Sequence, residues 1–116
     1  MPIVICDRFD VVAVPYPLGS ASPVGRRPAL ALTTRPLNLA QGHTVFAMIT
    51  SAETAGWATD IAIGDIETAG LPAPSVVRLK IFTLDNGIPL GRLGTLAKKD
   101  AKAVRRALRE ALGEDE

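Results

Sequence analysis

The sequence predicts a β-rich α+β fold: a small, strongly bent sheet or barrel of short strands, closed by one C-terminal amphipathic helix. Three observations carry this. Between residues 9 and 93, short apolar or alternating runs rich in β-branched residues are separated by Gly, Pro, Asn and Asp punctuation. From Asp100 onward the period becomes helical, with Ala101, Val104, Ala107, Leu108, Ala111 and Leu112 on one stripe. The length, 116 residues, is that of one domain with one core, so residues 1–116 are read as a single unit.

The first strand is expected over Phe9–Pro17, where Pro15 and Pro17 stop a β-branched run. Leu18–Gly25, rich in Gly, Ser and Pro, reads as a loop feeding Arg26-Arg27-Pro28. Ala29–Thr33 is nearly all apolar and reads as a second strand buried on both faces. The connection Thr34–His43 is expected to be irregular, and Thr44–Thr50 to be a third strand ending in the hydroxyl pair Thr50-Ser51. Glu53–Gly56 reads as a turn, and the alternation over Ala58–Ile63 predicts a half-exposed fourth strand. Gly64–Pro74 is too punctuated for a long helix. Ser75–Leu84 resumes a β pattern, Asp85-Asn86-Gly87 is a turn signal, and Ile88–Leu93 is a last strand weakened by Gly91 and followed by Gly94. Asp100 is expected to cap the helix and Gly113 to stop it. So many short strands need their edges protected, which favours closure.

Composition excludes several classes. Thirteen Lys and Arg against twelve Asp and Glu give a net charge of +1, too little for a binder that relies on bulk positive charge. The basic residues are uneven, however: Arg92, Lys98, Lys99, Lys102, Arg105, Arg106 and Arg109 crowd the last quarter. A solvated helix face is the simpler account of them, a partner site the other. The lone Cys6 fits a reducing cytoplasm. No run approaches the ~20 apolar residues of a membrane span. One histidine and no Cys/His cluster leave no zinc site, and the absence of a Gly-rich phosphate loop argues against a nucleotide cofactor. No metal and no cofactor are therefore expected.

The residues that can carry chemistry are few. An arginine held on stiff backbone before Pro28 is a plausible phosphate hook, because its planar fork matches phosphate oxygens. Taken alone, Arg26-Arg27 reads first as a solvated pair. Thr50 and Ser51, at a strand end, are a hydroxyl pair that either bonds its own backbone or faces the same rim as Arg27. Together, a cation and a hydroxyl donor suit a phosphodiester whose negative charge grows in the transition state. Tyr16 and Trp57 can stack on unpaired bases or serve as packing anchors. Asp10 and Asp60 are carboxylates that can orient neighbours, and His43 lies in a Gln-Gly-His turn with solvation as its simplest role.

The order of the pieces is more specific than any one of them. Phe9-Asp10-Val11-Val12, Pro15-Tyr16-Pro17, a Gly/Ser loop, Arg26-Arg27-Pro28-Ala29-Leu30, Ile49-Thr50-Ser51, Gly70-Leu71-Pro72 with Ser75-Val76-Val77-Arg78, and Phe82-Thr83-Leu84-Asp85 follow one another as in the PemK/MazF family of toxins, which the chain resembles from about residue 9 to 112. The resemblance implies an SH3-like barrel of the CcdB/MazF type with five to seven strands, a homodimer, and a cognate antitoxin as partner. It implies metal-independent, sequence-specific cleavage of single-stranded RNA, by attack of the ribose 2'-hydroxyl to leave a 2',3'-cyclic phosphate. By position, Arg27 and Thr50 match the family's catalytic arginine and threonine, with Arg26, Ser51, Tyr16 and Trp57 as RNA contacts. Two departures stand out: Phe9 replaces a glycine common before the strand-one aspartate, and Gly19-Ser20-Ala21-Ser22 lacks the acid some relatives carry. The missing acid keeps open a non-catalytic reading, a gyrase inhibitor of the CcdB kind or a degenerate family member.

Overall fold

The computed structural model describes residues 3–16, 25–54 and 56–113. The loop expected at 18–25 falls, up to residue 24, outside them, as does Ala55 of the turn expected at 53–56. Among the described residues there are six strands: β1 (Asp10–Tyr16), β2 (Gly25–Ala31), β3 (His43–Ser51), β4 (Ile61–Ala62), β5 (Ser75–Asp85) and β6 (Gly91–Thr95). Two α-helices accompany them, α1 (Arg35–Gln41) and α2 (Lys98–Leu112), with a 3-10 turn at Ala52–Thr54. The sheet runs β4-β5-β3-β2-β1-β6, every neighbouring pair antiparallel. It is a curled half-barrel with a C-terminal helix, the expected β-rich α+β class. Closure is incomplete, since β4 and β6 end the order. The edge of β6 is instead guarded by the 64–71 segment, with the Thr95 amide donating to the Thr68 carbonyl.

Period-two alternation gives the sheet two apolar faces. On one, Val11, Leu30, Ala47, Ile49 and Val77 meet Ala101, Val104 and Leu108 of α2. On the other, Val12, Val14, Ala29, Ala31 and Phe46 pack with Cys6, and the Phe46 and Phe82 rings stack 5.6 Å apart. Burial of Cys6, with the nearby charge of Asp10, pushes its thiol up to about 11, so it behaves as a small hydrophobe.

Several local expectations need correction. The 34–43 connection is not irregular: it holds α1, whose first turn accommodates Pro36 because an N-terminal N–H needs no helical partner. What makes this short helix form is tertiary. Asn38 is fully buried, and its side-chain amide donates to the carbonyls of Cys6 and Thr33 at 2.9 and 3.0 Å, while its backbone carbonyl accepts from the Asn86 side-chain amide. Next, β2 begins at Gly25, so Arg26 and Arg27 lie within the strand and not at its mouth. Last, the N-cap of α2 is Ala97, without a side-chain cap bond, and Asp100 turns outward from its own helix to accept the amides of Gly64 and Asp65 at 2.9 and 3.0 Å. The strand expected at 88–93 is shifted to Gly91–Thr95, with a bulge opposite Val11/Val12. Gly113 does end α2, in the left-handed region.

Phe9 has φ of 71°, the left-handed region that L side chains avoid and glycine adopts freely. Its backbone is gripped on both sides: its N–H donates to Ala31 O at 2.7 Å and its carbonyl accepts from the Leu96 amide at 3.0 Å. The ring is buried and met by two guanidiniums, Arg8 at 4.7 Å and Arg105 at 5.1 Å from its centroid. Glycine, which the sequence resemblance leads one to expect at this position, would adopt this backbone without strain. Removing the ring is expected to cost about 3–5 kcal/mol. Because glycine relieves the strain, Phe9→Gly is expected to be less destabilising than Phe9→Ala by about 1 kcal/mol, reversing the usual order. Denaturant melts of the two variants check it.

Candidate functional site

The pairing of β2 with β3 begins at Ala29↔Met48 and runs inward through Leu30↔Ala47 and Ala31↔Phe46. Extending that register outward by two residues sets Arg27 opposite Thr50. There the ladder has stopped: Arg27 pairs only with Val14 of β1, and Thr50 only with Val76 of β5. Pro28 fits at this point because the open edge requires no N–H from it. The divergence of β2 from β3 opens a cavity of about 210 Å³, lined by Arg27, Pro28, Ile49, Thr50, Ser51 and the segment Leu71–Ser75.

Across the opening, Arg27 Nη2 donates to Thr50 Oγ1 at 3.2 Å. Thr50 is buried, and its hydroxyl also contacts Thr54 Oγ1 at 3.1 Å. The Arg27 guanidinium lies 4.8 Å from the centroid of the Tyr16 ring, a cation–π stack that holds its plane. One side chain thus spans an aromatic and a hydroxyl, and among the described residues its remaining N–H groups have no further hydrogen-bond partner.

The sequence candidates divide accordingly. Arg27, Thr50 and Tyr16 come together. Arg26 is exposed, and strand alternation puts it on the face opposite Arg27. Ser51 borders the cavity, but its Oγ accepts the Glu53 amide at 3.1 Å. Trp57 is exposed and belongs to a neighbouring cluster, with the Arg78 guanidinium 4.8 Å over its ring. Asp10 lies apart, bonded to Arg92 and to the Asp7 amide. His43, at the other end of β3, is about 23 Å of strand from Thr50.

Sequence reasoning missed Thr54 and gave Arg78 no role. Arg78 and Asp60 form a bidentate pair, Nε to Oδ1 at 3.0 Å and Nη2 to Oδ2 at 2.8 Å. Asp60 Oδ2 also accepts the amides of Gly56 and Trp57, and Arg78 Nη2 reaches the Thr54 carbonyl at 3.0 Å. Hydrogen bonds from Arg78, and then those amides, hold the Asp60 carboxyl well below the usual carboxylate range. A group depressed in this way stabilises the fold above its unfolded value of about 3.8 and loses that contribution as pH falls through the folded value. The expected result is an acid-induced fall in melting temperature below about pH 4 that is shallower in Asp60→Asn, checked by thermal melts from pH 7 to 2. The signal available in the sequence was an acid and an arginine on neighbouring strands, which only register can pair.

A larger cavity of about 600 Å³ lies between α2 and the sheet, lined by apolar side chains with Arg8, Arg105 and Arg109 at its border. The one hydroxyl in its lining, Thr33 Oγ1, donates to Asn38 Oδ1 and accepts from the Val45 amide, so the cavity is set aside as a site of chemistry. Among the described residues, no three His, Cys, Asp or Glu side chains gather to hold a metal ion, and no helix is long and apolar enough to cross a membrane.

No curated protein matches the sequence. Solved structures do match in fold. MazE–MazF from Deinococcus radiodurans aligns at a TM-score of 0.73 and 23% identity, over 97% of this chain and 99% of that one. An endoribonuclease in complex with its cognate antitoxin, from Mycobacterial species, aligns at 0.73 and 21%, over 97% of both chains. Toxin MazF-mt6 from Mycobacterium tuberculosis aligns at 0.72 and 22%, over 92% and 99%. At these identities the likeness establishes the shared fold. The family is established by sequence: residues 7–112 match the model of the PemK-like, MazF-like toxins of type II toxin-antitoxin systems, and the chain belongs to that family.

Proposed function

We propose that this toxin is a metal-independent, sequence-specific endoribonuclease acting on single-stranded RNA at the Arg27–Thr50 opening. The observation that carries it is the cation and hydroxyl held 3.2 Å apart beside a cavity, where two strands part company. In this reading Arg27 stabilises the phosphorane formed when the 2'-hydroxyl attacks the adjacent phosphorus. Thr50 hydrogen-bonds the phosphoryl oxygen, and a 2',3'-cyclic phosphate and a 5'-hydroxyl result. Asp60, with both oxygens engaged by Arg78 and two amides, positions the turn and is no general base. Tyr16 holds Arg27 from one side. Trp57, about half exposed with Arg78 over its ring, offers an aromatic surface to an unpaired base.

The partners in this reading are single-stranded RNA, a cognate antitoxin and a second copy of the chain, in the cytoplasm. The family's pairing with antitoxins supports the second. The apolar groove bordered by Ile81 and Leu112, both exposed in a single chain, supports the third.

Incubating the purified protein with a long RNA in EDTA tests the function. Cuts at a short recurring sequence, ending in cyclic phosphate, are expected. Absent cleavage, or cleavage that EDTA abolishes, overturns it, and inhibition of gyrase supercoiling without RNA cutting would put a CcdB-like binder in its place.

A further inference from the structure

Three hydroxyl and carbonyl groups beyond Arg27 form a chain with only one possible direction. Arg27 Nη2 can only donate, and it reaches Thr50 Oγ1 at 3.2 Å. At the far end the Ser51 carbonyl can only accept, and Thr54 Oγ1 donates to it at 2.9 Å. Thr54 has one hydroxyl proton, so in the 3.1 Å contact between the two threonines it is Thr50 that donates. The resting Thr50 proton therefore points at Thr54. It is not offered to the cavity.

We propose that Thr54 is a positioning residue, one that sets the orientation and donor strength of the Thr50 hydroxyl; this rests on the catalytic reading of Arg27 and Thr50. When a phosphoryl oxygen enters, the Thr50 O–H rotates onto it, and the Thr54 O–H turns from the Ser51 carbonyl to Thr50 Oγ1. No proton changes owner. Thr50 Oγ1 then accepts from both Arg27 and Thr54 while donating to the phosphoryl group, and each bond polarises the next. The exchange needs a turn that stays still while its hydroxyl changes partner. Arg78 provides this: its Nη2 holds the Thr54 backbone carbonyl at 3.0 Å, and Asp60 holds Arg78 in two places.

A purely structural Thr54 would only close its 3-10 turn through the Ser51 carbonyl. The two roles separate in single-turnover cleavage of RNA by Thr54→Val, Thr54→Ser and Thr54→Val in a Thr50→Ala background, with melts run alongside. Positioning predicts a saturating single-turnover rate about tenfold lower for Thr54→Val, a half-saturating concentration unchanged within about twofold, and recovery in Thr54→Ser. It also predicts no further loss in the Thr50→Ala background, since the partner is gone. A Thr54→Val rate at or above that of the parent overturns the proposal, as does the same fractional loss with Thr50 already removed. If Arg27→Ala and Thr50→Ala both cleave like the parent, the catalytic reading itself falls; if both are slowed and Thr54→Val is not impaired, only the role of Thr54 does.

Discussion

Arg27→Ala is expected to lower RNA cleavage by about a hundredfold or more while the protein stays folded. The magnitudes separate the two effects. Arg27 is half-buried, and its ties among the described residues are one hydrogen bond to Thr50 and a stack on Tyr16, together about 1–2 kcal/mol. For a chain of this size that is a shift of several degrees in melting temperature, too small to unfold it at assay temperature. Losing a preorganised cation beside a developing dianion removes about 2.7 kcal/mol or more from the transition state. Arg27→Lys keeps the charge but cannot both lie over Tyr16 and reach across to Thr50 with a fork, so about a tenfold loss is expected. Cleavage kinetics with a melting curve on each variant check both, and an unimpaired Arg27→Ala would remove Arg27 from the chemistry.

The largest expected effect on stability comes from Gly70→Ala. Gly70 has φ of +74°, and a Cβ there would lie 2.1 Å from the Leu93 carbonyl oxygen and 2.6 Å from its carbon. The obstacle is backbone, so no side-chain rotation relieves it. Left-handed strain alone costs about 1–2 kcal/mol, and moving β6 away from the turn adds more, for an expected total of about 4 kcal/mol or above. That is a large part of the roughly 5–15 kcal/mol that holds a typical domain together. Gly87→Ala, where a Cβ would meet nothing within 4 Å and φ is not in the left-handed range, should be close to neutral in the same denaturant melts. The consequence reaches the site: the turn that Gly70 seats against β6 continues into Leu71–Pro74, the far wall of the Arg27–Thr50 cavity. Its other end is tied down by Asp100 of α2 through the Gly64 and Asp65 amides. A weakened variant that still folds should therefore lose cleavage as well as stability.

Strand order along the chain and the terminal helix were legible in the sequence, and so were Arg27 and Thr50 as a candidate cation and hydroxyl. They depend on local pattern: alternation over Ser75–Asp85, helical spacing over Ala101–Leu108, and proline and glycine at the ends. The helix α1 was not legible, because it depends on Asn38 finding carbonyls contributed by Cys6, which precedes β1, and an amide from Asn86 beyond β5. Asp100 was misread for a related reason. An acid near a helix start is locally a cap, yet its two best donors came from a turn more than thirty residues earlier. Phe9 shows the converse, a residue whose local preference is overruled: Ala31 at the end of β2 and Leu96 just after β6 grip its backbone in a conformation its side chain disfavours.

Residue type and order, then, set what kind of domain this is and single out Arg27 and Thr50 as the candidate pair for the proposed chemistry on a phosphodiester. Only the tertiary structure decided that they meet. Arg27 and Thr50 are 23 residues apart, and what joins them is the β2–β3 register together with the place where that ladder ends. The same holds for Thr54 and for the Asp60–Arg78 clamp behind it. Hydrogen-bond direction and strand register are relations between distant segments, and neither exists in the sequence until the sheet has formed.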